Sequence, residues 1–175
     1  MFSIYKKDLQ GYFFTPFAYI ITGLFLFMFT FVFNGSLGTL DQATFYFSFA
    51  DTFYNVIIMF IFLIPIITMR TFADERKFGT EVLLMTSPIN VVQIILGKYL
   101  ANITLFLFML ACSLFFPIYA SFKGEVVMSQ LICAYLGFFL WGAMYIAIGQ
   151  LVSSFVENSI LAAILGEIVM FVFLF

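Results

Sequence analysis

The sequence predicts an all-α protein that crosses a membrane several times, and two observations lead to this fold class. First, 65% of the 175 residues are hydrophobic and only 9% are charged. A soluble domain carries about a quarter charged residues, so this chain lacks the charge to cover a water-facing surface. Second, apolar runs recur at about the 20 residues that a transmembrane helix needs. We therefore expect a multi-pass protein of the cell (inner or plasma) membrane.

The composition also limits the chemistry of the chain. With 7 basic and 9 acidic residues, it lacks the basic stripe that nucleic acid would require. It contains no His, which is the commonest metal ligand. Its two cysteines, Cys112 and Cys133, lie singly in apolar runs rather than at metal or redox spacing. We therefore expect no catalytic residue, no metal and no bound cofactor in this chain.

The first 15 residues predict an amphipathic helix in the membrane interface. Polar residues recur at helical spacing on one side and apolar or aromatic residues on the other. The helix ends at Thr15-Pro16. It is either a generic anchor or a part of the mechanism. The polar side carries Ser3, Lys6, Lys7 and Gln10, and the apolar side carries Phe2, Tyr5, Leu9, Tyr12 and Phe13.

Five apolar runs predict five transmembrane helices. A membrane helix normally closes with a polar or aromatic-cationic flank, yet the last run is still apolar at Phe175. We therefore expect that a sixth helix is missing from this sequence. The five predicted spans are residues 17–33, 53–69, 99–119, 126–152 and 158–175.

The positions of Lys and Arg predict the orientation. Six of the seven lie in the N-terminal segment or between residues 70 and 98, and only Lys123 lies on the other side. Because cytoplasmic loops carry the excess of basic residues, the N-terminus and the 70–98 loop are expected in the cytoplasm. The outer loop at 34–52 is rich in aromatic residues, which predicts either an ordinary interfacial belt or a lateral entrance for a lipid-like substrate.

Residues 70–90 form the expected cytoplasmic loop and hold the densest group of charges. Gly79 permits a helix break, Thr80 can cap a short helix, and Pro88 ends it. A helix of about seven residues has little stability of its own in water. The apolar residues 82–85 therefore need cover, either from the membrane interface or from a cytoplasmic partner. The charged residues are Arg70, Asp74, Glu75, Arg76, Lys77 and Glu81.

Glu167 is the one ionisable residue near the middle of a predicted span, where such a group is costly. It either marks a transport pathway or is a neutral carboxyl bonded to Asn102, Thr104 or a helix backbone. If the fifth segment enters and leaves the membrane on one side, Glu167 instead lies near an outer tip in water. Gln150 and Asn55 are candidates for hydrogen bonds between helices.

Residues 71–88 resemble the signature of the ABC-2-type transporter permeases. In that family, an E-R/K-x-x-G-T-x-x-x-L-x-x-x-P stretch lies between the second and third spans. Two weaker pieces agree, because residues 6–16 are similar to the family's interfacial helix and residues 147–158 to its hairpin between the fourth and fifth spans. The most similar subgroup is the gliding-motility-associated permeases. The stretch reads TFADERKFGTEVLLMTSP and is followed by Gly97-Lys98.

The resemblance implies a membrane-spanning permease subunit of an ATP-binding-cassette transporter, and specifically an exporter. A second permease copy or paralogue and two cytoplasmic ATPase subunits, which bind ATP and Mg, would complete it, with an auxiliary extracytoplasmic subunit as a further partner. The chain has no G-x-x-x-x-G-K-[ST] motif, so hydrolysis is expected on the partner and this chain is expected not to be an enzyme. The resemblance assigns ATPase coupling to Asp74, Glu75, Arg76, Gly79, Thr80, Glu81, Leu83, Leu84 and Pro88.

Two other classes of protein stay open. An ATP-independent transporter or channel subunit would carry several charged residues within its spans, and only Glu167 qualifies. An intramembrane enzyme would carry a G-x-S-x-G motif, an H-E-x-x-H motif or a pair of mid-membrane aspartates, and the sequence has none of these. Members of the resembling family usually have six spans with both ends in the cytoplasm, which agrees with the expectation of a missing helix.

Overall fold

A computed structural model describes residues 2–38, 49–77, 79, 90–122 and 127–174. Within these ranges every regular element is a helix, so the predicted all-α fold class is confirmed. The helices are α1 (Phe2–Phe13), α2 (Phe17–Gly38), α3 (Phe49–Thr68), α4 (Ala73–Lys77), α5 (Val91–Ser113), α6 (Phe115–Ser121), α7 (Met128–Phe155) and α8 (Ser159–Leu174).

Four helical segments in the described part of the chain are long and apolar enough to cross a membrane. They are Phe17–Gly35, Asp51–Arg76, Val91–Ser121 and Met128–Phe155. Helix α8 is equally apolar but has 16 residues, and its rise of about 24 Å is shorter than the roughly 30 Å hydrocarbon core of a bilayer. The fifth span therefore stays a prediction.

Helix α5 begins at Val91, whereas the predicted third span begins at residue 99. The prediction treated Lys98 as a charged flank outside the membrane helix. In the structure the Lys98 side chain is buried, and helix α5 runs through this position without a break. The reason lies in the partners of the ammonium group, which are described below.

Helix α3 lies at the centre of the bundle and packs against α2, α7 and α8. Aromatic rings fill the space between these helices and α5. The rings of Phe25 and Phe60 lie 5.3 Å apart in an edge-to-face contact, and those of Phe60 and Phe106 stack at 5.2 Å. Such pairs add specific geometry to the large apolar area that each ring buries.

Two glycines of α7 allow it to approach its neighbours closely. A Cβ atom at Gly142 would overlap the ring of Phe106 on α5, and one at Gly149 would overlap the hydroxyl of Thr68 at the end of α3. Small residues are the usual device for close helix packing in membranes. These two contacts fix α7 against both α5 and α3.

Candidate functional site at the charged end

Most of the charged residues in the described part of the chain gather where α3 gives way to α4 and where α7 gives way to α8. We call this region the charged end. Helix α3 ends at Thr68, a turn covers residues 69–72, and α4 carries Asp74 and Glu75 in its only full turn. Gly79 follows with φ +68°, a left-handed conformation that glycine adopts without steric cost. The helix break that the sequence predicted at Gly79 agrees with this geometry.

Lys98 is the central cation of the charged end. Its side chain is only 2% exposed, and its Nζ lies 2.9 Å from Glu75 Oε1 and 3.4 Å from Asp8 Oδ2. The ammonium also donates to the carbonyl oxygen of Thr71 at 2.8 Å. A buried ammonium is tolerated only when it is paired and hydrogen-bonded. One side chain of α5 therefore joins α1, the 69–72 turn and α4.

A second set of polar contacts joins α1 to α5. The Tyr12 hydroxyl donates to Asn102 Oδ1 at 2.7 Å, and Asn102 Nδ2 donates to Thr71 Oγ1 at 3.1 Å. The Tyr5 hydroxyl and Thr104 Oγ1 lie 3.0 Å apart. Helix α1 is thus attached to α5 along its length, which is more than a generic anchor requires.

Burial shifts the acid–base behaviour of α1. It raises the pKa of Asp8 above the ordinary value; the nearby Lys98 ammonium opposes this shift, and the Glu75 carboxylate adds to it. Burial also raises the pKa of Tyr12, so this hydroxyl keeps its proton and remains a hydrogen-bond donor to Asn102. Asp8, whose Oδ2 lies 3.4 Å from the Lys98 ammonium, therefore takes up a proton more easily than an ordinary aspartate.

The α7–α8 hairpin closes the charged end from the other side. Ser153 Oγ accepts hydrogen bonds from the backbone N–H groups of Phe72 at 3.2 Å and Ala73 at 3.3 Å. The same hydroxyl donates to the Met69 carbonyl at 3.2 Å. The Ser159 hydroxyl donates to Asp74 Oδ1. The turn and α4 are therefore bonded to α7 and α8 as well as to α1 and α5.

Two clefts flank α4. The first, of about 320 Å³, lies between α1 and the 69–72 turn and is lined by charged residues, among them Lys7 and Arg70. The second, of about 650 Å³, lies between α5 and α7 and is mainly apolar. Arg76 and Gln150 line this apolar cleft. Helix α4 therefore lies between a charged cleft and an apolar one: Asp74 lines the first, Arg76 lines the second and Glu75 lines both.

The nine residues predicted to couple to the ATPase divide into two groups. Asp74, Glu75 and Arg76 lie on α4 at the charged end, and Gly79 follows them. Five further residues lie outside the described part of the chain. These are Thr80, Glu81, Leu83, Leu84 and Pro88.

The expectations for the polar residues within the spans had mixed outcomes. Gln150 Nε2 donates to the Ile95 carbonyl at 3.0 Å, which is the predicted type of bond between helices. Asn55 is exposed, and its Nδ2 donates to the Asp51 carbonyl of its own helix at 2.9 Å. The interhelical bond expected for Asn55 is therefore not the one that the structure contains.

The partners expected for Glu167 are occupied elsewhere. Asn102 bonds to Tyr12 and Thr71, and Thr104 bonds to Tyr5 and to the Leu100 carbonyl. Both residues bond to α1, to the turn or to their own helix, and neither is joined to Glu167 in the described structure. The Glu167 side chain is half-buried on α8, and no hydrogen bond or ion pair joins it to another residue in the described ranges.

We expect Glu167→Gln to leave the melting temperature in detergent unchanged or slightly raised. The substitution removes no bond of the described structure and takes an ionisable group out of an apolar helix. Glu157→Gln, at an exposed position of the α7–α8 connection, is the matched control. A clear fall in melting temperature for the Glu167 variant alone would contradict the expectation and reveal a bonded partner for this carboxyl.

Sequence reasoning missed three residues of this site. Lys98 was counted as a basic residue of the cytoplasmic loop that follows the family signature, but not as a buried ion-pair partner. Asp8 was not assigned to either face of the first helix, and Ser153 was included only in the similarity of residues 147–158 to the family's hairpin. A signal was present for Lys98, since it stands inside an apolar run that extends from Val91 to Leu100 with few interruptions. No local pattern distinguishes Ser153 from the neighbouring Ser154.

The fold and this site define a class of protein: an all-helical, multi-pass membrane protein whose charged groups tie one end of the bundle together. A family model described as "ABC-2 family transporter protein" matches residues 39–175. The chain belongs to this family and is a membrane subunit of an ABC transporter, a class that associates with ATPase subunits. The resemblance based on residues 71–88 is confirmed at this level. No curated protein and no solved structure matches the chain.

Proposed function

We propose that this chain is the permease subunit of an ATP-driven exporter and that its charged end faces the cytoplasm. Three of the six basic residues predicted on the cytoplasmic side, Lys7, Arg70 and Lys98, line one cleft at that end. The excess of basic residues in cytoplasmic loops supports this orientation. In this proposal the N-terminus lies in the cytoplasm and the protein lies in the cell (inner or plasma) membrane.

The ATPase contact is proposed for residues 74–88. The observation that supports it most strongly is the buried ion pair of Lys98 with Glu75, because it links the family signature directly to a membrane-spanning helix. Further bonds from the turn and α4 reach α1, α7 and α8. A displacement of α4 by a partner is therefore passed to every helix that is bonded to it.

The proposed assembly contains two permease chains, identical or paralogous, and two ATPase subunits that carry ATP and Mg. An auxiliary extracytoplasmic subunit is a further candidate partner. The resemblance to the gliding-motility-associated permeases supplies the proposed subgroup. In this assembly the chain contributes the translocation path and the coupling segment, while hydrolysis takes place on the partner.

Cysteine cross-linking tests the coupling role. In a variant whose native Cys112 and Cys133 are replaced by Ser, a cysteine at Glu81 or Leu84 is expected to cross-link to the ATPase subunit in isolated membranes. The expected product contains both chains on a non-reducing gel. The reason is that the apolar residues 82–85 need cover and the family places the ATPase next to this segment.

Position Gln130 provides the matched control, because it is exposed near the other end of α7 and should give no cross-link. Labelling of the Glu81 and Leu84 cysteines from outside intact cells by an impermeant maleimide would refute the proposed orientation. Cross-linking at position 130 but not at 81 or 84 would refute the coupling role.

A further inference from the structure

We propose that Ser153 is a positioning residue that, together with Ser159, fastens the turn and α4 to the α7–α8 hairpin, so that movement of α4 is transmitted to α7. This inference rests on the proposed function, because it assumes that the ATPase acts on α4. It goes further by assigning the route that the movement takes into the bundle.

The hydrogen-bonding capacity of the Ser153 hydroxyl is fully used where α7 meets the 69–72 turn and α4. A serine hydroxyl has one donor and two acceptor sites. Its donor is given to the Met69 carbonyl, and its oxygen accepts from the N–H groups of Phe72 and Ala73. The side chain is only 1% exposed, so water does not compete for these bonds. One hydroxyl thus holds both ends of the turn against α7.

The two flanking contacts make this connection rigid. One helical turn before Ser153, Gly149 brings α7 against the Thr68 hydroxyl, and a Cβ there would leave no space. After Ser153, the chain passes through the short connection to α8, where the Ser159 hydroxyl donates to Asp74 Oδ1. The end of α3, the turn and α4 are therefore each held by the hairpin.

The connection to α5 is of a different kind. Lys98 reaches the turn through a four-carbon stem with several rotatable bonds, so its ammonium can follow Glu75 while α5 stays in place. The Ser153 hydroxyl is one bond removed from Cβ and is bonded directly to the backbone of the turn. Asn102 of α5 also bonds to the turn at 3.1 Å, but to the Thr71 side chain rather than to the backbone. We therefore expect a shift of α4 to be passed to α7 through the backbone bonds of Ser153, and to α5 only through bonds that involve longer or rotatable side chains.

The natural Cys133 provides a reporter of this movement. It is a free, exposed cysteine on the same helix as Ser153, because α7 runs from Met128 to Phe155 without interruption. In the assembly with its ATPase subunit, with Cys112 replaced by Ala, we expect ATP binding to change the rate at which a membrane-permeable maleimide labels Cys133. Ser153→Ala is expected to abolish this nucleotide effect, and Ser153→Thr, which keeps the hydroxyl, is expected to retain it.

Ser154→Ala is the matched control. The Ser154 hydroxyl donates only to the Leu151 carbonyl of its own helix, at 2.6 Å, so its loss should leave the nucleotide effect at the wild-type level. A nucleotide effect in Ser153→Ala as large as in Ser154→Ala would overturn the proposal. Co-purification of the ATPase subunit with each variant separates a loss of transmission from a loss of assembly.

Ser159→Ala carries the test if Ser153→Ala does not assemble. Ser159 is only half-buried, and a reduced nucleotide effect in this variant would support the proposal, whereas a wild-type effect would overturn it. A different result bears on the proposed function itself. If the wild-type chain neither retains an ATPase subunit nor responds to ATP, the exporter assignment fails before the route of transmission is tested.

Discussion

Replacing Lys98 by Met is expected to destabilise the protein by about 3–5 kcal/mol, the cost of removing one partner from a buried ion pair. The substitution keeps the length and the apolar stem of the side chain but takes the ammonium away from Glu75 and Asp8, at 2.9 and 3.4 Å. Both carboxyl groups would then lose their central cation while they stay in a poorly hydrated site. The measurement is the melting temperature in detergent, together with the amount of protein in the membrane.

Lys7→Met provides the control for this expectation. Lys7 also pairs with Glu75, at 3.4 Å, but its side chain is 63% exposed. Exposed pairs contribute about 0–1 kcal/mol, so this variant should melt close to the wild type. Equal losses in the two variants would show that burial of Lys98 does not determine its contribution.

Neutralising the carboxylates should partly rescue the Lys98 variant. In the triple variant Lys98→Met, Asp8→Asn, Glu75→Gln, none of these three side chains carries a charge. Replacing every member of a buried group of ions is often far less costly than removing only one of them. We expect the triple variant to melt above Lys98→Met alone. A triple variant that is less stable than the single one would mean that the hydrogen bonds of the two carboxylates stabilise the protein by more than their unpaired charge destabilises it.

The second large effect is expected for Gly149→Ala. The added Cβ would overlap the Thr68 hydroxyl and lie 2.8 Å from Met170 Cε. The methionine end can move aside, but Thr68 is buried, β-branched and bonded to the Ile64 carbonyl at 3.1 Å. Helix α7 must therefore move away from α3, and overpacking of this kind costs about 1–3 kcal/mol.

Gly137→Ala is the matched control on the same helix. No atom lies within 4 Å of a Cβ at Gly137, so the change should be neutral or stabilise the helix by up to about 1 kcal/mol. Melting temperatures measured for the two variants in one detergent are expected to shift in opposite directions or by clearly different amounts. A comparable loss at both positions would refute close packing at Gly149 as the cause.

The sequence predicted the features that depend on local pattern. Runs of apolar residues indicated the membrane helices, the alternation of faces indicated α1, and Gly79 indicated the end of the α4 segment. The family followed from residues 71–88, where the chemistry is dense and the spacing is specific. Each of these signals is contained within about twenty neighbouring residues.

The residues that were missed or misassigned depend on which helices meet. Asn102 was one of the alternative partners proposed for Glu167, yet it bonds to Tyr12, which is 90 positions away in the chain. Ser153 is distinguished from Ser154 only by which side of α7 faces the 69–72 turn. A hydrophobic period predicts that a face is buried, but it does not predict the neighbour against which that face packs.

The long separations between α1 and its partners also have a consequence for biogenesis. Asp8 and Tyr12 each contact a residue 90 positions further along the chain, and Tyr5 contacts one 99 positions further. At ribosomal rates of about 5–20 residues per second, α1 leaves the ribosome roughly 5 to 20 seconds before α5 exists. Its amphipathic faces allow it to wait on the bilayer surface during that interval. Helix α1 is thus synthesised well before the residues of α5 that hold it in the bundle.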